Sequence, residues 1–222
     1  MKNFNKSVMS VAVASALSLT ALAPAVSAGE LSASAGVATS YLWRGVDLGD
    51  GAPAVSASLD FAEGGFYAGM WVSSGDTSAG TEYDLYAGFA GEAGSLSYDV
   101  GIISYVYPTG GIQTDARATE GNIGDAMEAY ISLGMGPVSL THYENIAEGG
   151  GYIPNPDYYY TTVAVEAGAF SFLYGDHESA FSDHFDISYA FNDSISFTYT
   201  FPLEDDITDD EPVLVASYSF AF

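Results

Sequence analysis

The chain has 222 residues, with 29 acids against four basic residues and no cysteine. A net charge of −25 makes nucleic acid and anionic lipid headgroups poor partners. Without thiols there are no disulfides and no thiolate metal sites, and 17 Tyr and 13 Phe argue against the disorder that strong acidity often marks.

The first element is a targeting segment. Lys2 and Lys6 make a basic start, residues 8–23 are apolar with serines, and Val26-Ser27-Ala28 has the small residues of a cleavage site. This predicts a signal peptide over residues 1–28, with a mature domain over 29–222. The apolar stretch is short for a membrane helix.

No segment shows a helical period. Twelve segments alternate with period two: 31–43, 53–61, 66–73, 82–90, 96–107, 126–135, 138–144, 158–167, 170–176, 184–191, 194–201 and 213–222. One face of each is apolar, as in Tyr83, Leu85, Ala87 and Phe89, or Ile195, Phe197, Tyr199 and Phe201. The other face is small or polar. A soluble sandwich shows the same alternation, so the connections must decide. Those after the even segments are tight, for example Gly136-Pro137 and Gly168-Ala169, and those after the odd segments are long. A Greek-key sandwich has no reason for such parity. Short turns at one end and long loops at the other, with an even strand count, predict an all-β fold. That fold is a 12-stranded antiparallel up-and-down transmembrane β-barrel.

The last segment carries Leu214, Ala216, Tyr218, Phe220 and Phe222 on one face. A naked apolar edge strand is a hazard in water, whereas in a closed barrel it pairs with the first strand and faces lipid. Phe222 then resembles the terminal aromatic assembly signal of bacterial outer-membrane barrels. Tyr41, Trp43 and Tyr158-Tyr159-Tyr160 sit near predicted strand ends, where interfacial girdles place such rings.

Within residues 35–90 the order of motifs resembles a family. Thr39-Ser40-Tyr41-Leu42-Trp43-Arg44-Gly45-Val46 is followed by Asp50-Gly51-Ala52-Pro53-Ala54-Val55, then Leu59-Asp60-Phe61 and Gly65-Phe66-Tyr67-Ala68-Gly69-Met70-Trp71. The chain is similar here to the TorF-type porins, acidic exported barrels first described as proteins of unknown function. The resemblance implies an outer-membrane channel and supplies no substrate.

The inward register places Asp60, Glu82, Asp84, Asp99, Glu128, Glu166 and Asp186 along the lumen. Such a surplus of carboxylates attracts cations in a low-dielectric tube. Arg44 has two readings: one wall of a constriction facing Asp60 or Glu82, or an ion pair that pins the first loop. The second is preferred. Arg117 reads as a surface charge. Residues 204–211 hold six acids in eight positions; they lack the order of a calcium hand and read as a solvated loop, as do Asp47 and Asp50. His142 near Ser139 and His184 near Ser182 are weak pieces of a hydrolytic site, and no phosphate loop, dinucleotide motif or zinc spacing appears.

The expectation is therefore a non-enzymatic, cofactor-free outer-membrane protein passing small hydrophilic solutes with a cation bias. Its partners would be outer-membrane lipid, lipopolysaccharide and the barrel-assembly machinery. The alternative is a non-conducting structural or adhesive barrel whose acidic loops bind divalent ions or an external partner. An infolded loop over residues 108–125 would favour a constricted or plugged lumen.

Overall fold

The computed structural model describes residues 29–108, 122–147, 157–178, 181–203 and 211–222. The signal segment, Arg117, residues 204–210 and the centre of the 108–125 loop lie outside these residues. The strands are β1 (Glu30–Ala38), β2 (Leu42–Trp43), β3 (Val46–Asp47), β4 (Ala54–Glu63), β5 (Phe66–Asp76), β6 (Gly80–Ala93) and β7 (Leu96–Val106). They continue as β8 (Ala126–Met135), β9 (Val138–Asn145), β10 (Tyr159–Ala167), β11 (Phe170–His177), β12 (His184–Ala190), β13 (Ile195–Pro202) and β14 (Val213–Ala221). All except β2 and β3 form one closed antiparallel barrel of 12 strands, in which each strand pairs with its barrel neighbours in sequence and β1 closes on β14.

The closing register sets Ser34 opposite Ala221 and Ala38 opposite Ser217. The Phe222 N–H reaches the Ala33 carbonyl at 2.8 Å, so the last residue is seated beside the first strand with its ring outward. Closure removes both sheet edges, the property that lets strands cross a bilayer. The apolar faces point out: Leu31 is 68 %, Leu214 62 % and Phe222 77 % exposed. Leu59, Met70, Phe89, Ile102, Leu140 and Phe170 share that outer surface. A soluble sandwich would turn these side chains inward. An apolar belt of this extent is a liability in water and a solvent match in lipid. The fold is an outer-membrane-type barrel.

Four of the five short turns carry a glycine in the left-handed region: Gly64 (φ 59) with Gly65 (φ 92), Gly94 (φ 70), Gly136 (φ 61) and Gly168 (φ 67). Tight hairpins need that conformation, and glycine adopts it without a Cβ clash. The fifth turn uses Asn192, whose Oδ1 accepts the N–H groups of Ser194 and Ile195 at 2.9 and 2.8 Å.

The structure corrects the first predicted strand. β1 stops at Ala38, Thr39 is still bonded to Ala216 of β14, and residues 40–43 leave the barrel wall. Ser40, Tyr41, Leu42 and Trp43 are buried inside the lumen. The sequence alternates through this segment as a strand does, but inside the lumen Ser40 to Gly45 are buried on every side. Tyr41 and Trp43 on this loop, Tyr158 just before β10 and Tyr160 near its start, all expected at an outer girdle, are buried lumen residues.

Candidate functional site

The first loop supplies the centre of the site. β2 and β3 pair as a miniature hairpin, with Leu42 opposite Asp47 and Trp43 opposite Val46. The two residues between them, Arg44 (φ 47) and Gly45 (φ 82), are both left-handed, the backbone of a primed two-residue turn. Arginine rarely adopts this conformation, so contacts of its side chain must hold it there. Asp47 closes the base of the loop. Its carboxylate accepts the Gly49 and Gly51 N–H groups, both at 3.1 Å, and the Ser40 hydroxyl. Leu48 is tied to the β5–β6 connection, because its carbonyl accepts the Thr77 N–H at 3.0 Å. Asp47 is thus a structural cap.

The Arg44 guanidinium reaches across to β8. Nη1 donates to Glu128 Oε1 at 2.9 Å and Nη2 to Oε2 at 2.6 Å. Both partners are buried, with side-chain exposures of 5 % and 0 %. The fork-on-fork geometry is the strong form of this pair. Tyr105 donates to Glu128 Oε2 at 2.7 Å, and the Tyr105 and Tyr158 hydroxyls accept from Arg44 at 3.3 and 3.4 Å. The guanidinium carbon lies 4.7, 4.5 and 4.5 Å from the ring centroids of Trp43, Tyr143 and Tyr160. Desolvated cation–π contacts of this kind contribute up to about 2 kcal/mol.

Two histidines extend the network. A carbonyl can only accept, so His177 Nε2 carries the proton it donates to the Arg44 carbonyl at 3.0 Å, and Nδ1 accepts from the Tyr158 hydroxyl at 2.7 Å. His184 Nδ1 donates to Asp186 at 2.9 Å, and Nε2 accepts from the Tyr160 hydroxyl at 2.8 Å. The His184 ring lies where a Cβ on Gly45 or Gly175 would fall. Those two glycines let the loop and β11 approach the ring.

The remaining acids meet different surroundings. Glu82 accepts the Tyr41 hydroxyl at 2.6 Å. Asp84 is fully buried, and neither of its carboxylate oxygens has a hydrogen-bond partner. Further down the lumen, Tyr67 on β5 donates to Asp99 on β7 at 2.7 Å, and Tyr86 on β6 donates to Asp60 on β4. Each of these rings crosses a glycine on the strand between, Gly88 and Gly69, where a Cβ would strike it. Ser58 also donates to Asp60, at 2.7 Å. Glu166, near the short-turn end, is exposed.

The structure therefore brings Arg44, Glu82, Asp84, Glu128 and Asp186 into one buried cluster at the loop end. It sets Asp60 and Asp99 apart under tyrosines, and leaves Glu166 in solvent. Arg44 pairs with Glu128, not with Asp60 or Glu82. The inward tyrosines and His177 were missed as site residues, because tyrosine in an alternating strand fits a lumen and a girdle equally well. The one usable signal was glycine at inward positions on neighbouring strands, which leaves room for a large ring.

Ser139 and His142 are an odd number of residues apart on one strand and so lie on opposite faces. His142 points outward, with Nδ1 2.9 Å from Thr161 Oγ1 and Nε2 3.3 Å from Glu144 Oε2. The expectation that the protein is not an enzyme follows from the lack of a catalytic motif around Ser139, His142, Ser182 and His184, and on a sheet groups meet across strands without any sequence motif.

No curated protein matches the chain. Among solved structures, the outer membrane phospholipase A of Escherichia coli is similar at 12 % identity, over 86 % of this chain and 89 % of that one, with a TM-score of 0.40. That neighbour is an enzyme, so the exclusion of catalysis does not stand; a likeness of this degree assigns no activity here. The sequence model of Gcw_chp, a bacterial protein of unknown function, matches residues 22–189, a span that contains the whole Arg44 cluster. The match carries that description and not the TorF name. The chain belongs to the Gcw_chp family of bacterial proteins of unknown function.

Proposed function

We propose that the protein is a porin-like channel of the TorF type, exported by a cleaved signal peptide to the outer membrane. It passes small hydrophilic solutes by passive diffusion and favours cations. One observation carries this reading: the inward face bears Asp60, Glu82, Asp84, Asp99, Glu128 and Asp186, and Arg44 is the one Lys or Arg among the described lumen residues. Arg44 is already matched by Glu128, so the surplus in the lumen is negative. In a tube walled by low-dielectric protein such a field enriches cations and repels anions. The infolded first loop narrows the loop end and sets the size limit. Outer-membrane lipid and lipopolysaccharide surround the apolar belt, and Phe222, at the end of the closing strand, serves the assembly machinery.

Planar-bilayer recording across a salt gradient tests the proposal. The expected result is stepwise conductance with a reversal potential on the cation side. Anion preference would remove the selectivity argument. The packing around Arg44 favours one second reading, a closed structural barrel, and folded protein without any conductance would select it.

A further inference from the structure

The neighbours of Asp84 are engaged elsewhere. Both terminal nitrogens of Arg44 are committed to Glu128, Tyr105 donates to Glu128, and Tyr41 donates to Glu82. Glu82 and Asp84 occupy successive inward positions of β6 and interact as like charges in the same buried region. Among the described residues, the buried side-chain atoms without a hydrogen-bond partner are the two Asp84 oxygens and Thr200 Oγ1. Buried polar groups are almost always paired, and an ionised carboxylate without a partner is among the costliest groups to enclose. The pair therefore needs a positive occupant or a proton.

We infer that Glu82 and Asp84 form a cation-binding site in the constriction, which takes a partly dehydrated monovalent cation such as Na⁺ or K⁺ in transit. The inference rests on the channel reading and names the ion subsite within it. The Arg44 charge acts on Asp84 from a distance but makes no hydrogen bond to it, because Glu128 holds both ends of the fork. The ligands are carboxylate oxygens, the hard donors that alkali and alkaline-earth cations prefer. Among the described residues, no three His, Cys, Asp or Glu side chains converge as a metal cage. Two carboxylates without such a cage make a weak site, and conduction requires an ion that binds well enough to enter and loosely enough to leave. The competing state is a single proton shared between the two acids.

Thallium(I), a heavy stand-in for K⁺, separates the two. Crystals of the mature wild-type barrel soaked in thallium(I) nitrate are expected to show an anomalous peak between the Glu82 and Asp84 carboxylates. The peak is lost in Asp84→Asn. In bilayers the same variant is expected to lower the cation-over-anion permeability ratio roughly tenfold, the effect of removing one charge from a poorly hydrated site. Glu82→Gln is the second variant should Asp84→Asn fail to fold, and it is expected to act in the same direction. Absence of the wild-type peak, or its persistence in Asp84→Asn, overturns the site. A wild-type peak in a protein that carries no current upholds the site and overturns the channel reading.

Discussion

The two ends of the lumen are made from the same alternating strands and have opposite characters. At the loop end Arg44, Glu82, Asp84, Glu128, His184, Thr200 and Val215 are all buried. At the short-turn end Ser32, Glu92 and Glu166 are exposed, and Ser34, Ser58, Asp60 and Ser219 are half-buried. The cause is local: residues 40–53 fold into one mouth and nothing comparable enters the other among the described residues. A carboxylate in solvent is screened, whereas one behind protein and away from water interacts several-fold more strongly with its neighbours. The comparison teaches that a count of inward acids does not measure a lumen's field. The few acids under the first loop dominate it.

Substitutions can break this contrast, and the largest effect is expected at the ion pair. Arg44→Met leaves Glu128 buried without a counter-charge, a change that costs about 3–5 kcal/mol. The first loop should leave the lumen, the barrel should lose its heat-resistant electrophoretic form at a lower temperature, and single-channel conductance should rise. Adding Glu128→Gln to Arg44→Met should restore part of the stability, since no unpaired charge then remains. An unchanged melting temperature in Arg44→Met would mean that the pair does not hold the loop.

Gly45→Ala comes next. Its backbone is left-handed (φ 82) and its new methyl would meet the His184 ring. A loss of about 1–3 kcal/mol is expected, read as a lower unfolding midpoint in urea. The same change at Gly51 (φ 71) has nothing within 4 Å of the added carbon and should cost less, about 1 kcal/mol from backbone strain alone. Equal effects would show that only the turn conformation matters, and not the contact with His184.

Below these, Tyr67→Phe removes the hydrogen bonds of its hydroxyl with Asp99 and Tyr130, a loss expected to cost about 1 kcal/mol. Glu166→Gln at the solvent end is expected to change stability by less than about 0.5 kcal/mol and to leave ion selectivity almost unchanged. A selectivity loss in Glu166→Gln as large as in Asp84→Asn would dissolve the contrast between the two ends.

Much of the barrel is legible without coordinates. Period-two alternation marks the strands, and the left-handed glycines at 64, 94, 136 and 168 mark tight turns. The parity of short and long connections orders the strands up and down. The inward placement of Glu82, Asp84, Glu128 and Asp186 follows from the same period, because a strand has only two faces. The end of β1 at Ala38 was not legible. Tyr41 and Trp43 alternate with small or apolar neighbours whether they lie in a wall or in an infolded loop. Arg44 shows the limit well. Its type and isolation announce an ion pair, but seven inward acids could have been the partner. Catalysis was set aside for lack of a motif, and a motif is a poor test on a sheet where groups meet across strands.

By itself the sequence determined which residues point to lipid and which to the lumen, how many strands there are, and which strand closes the barrel. These follow from period and spacing, which are local properties of the chain. Only the tertiary structure decided that the first loop enters the lumen, that Arg44 chooses Glu128 across 84 positions, and that Asp84 is left buried without a donor. Those outcomes depend on curvature, on which side chains fill the tube, and on the room left at glycines. All three are set by closure of the whole sheet and are invisible in any one segment.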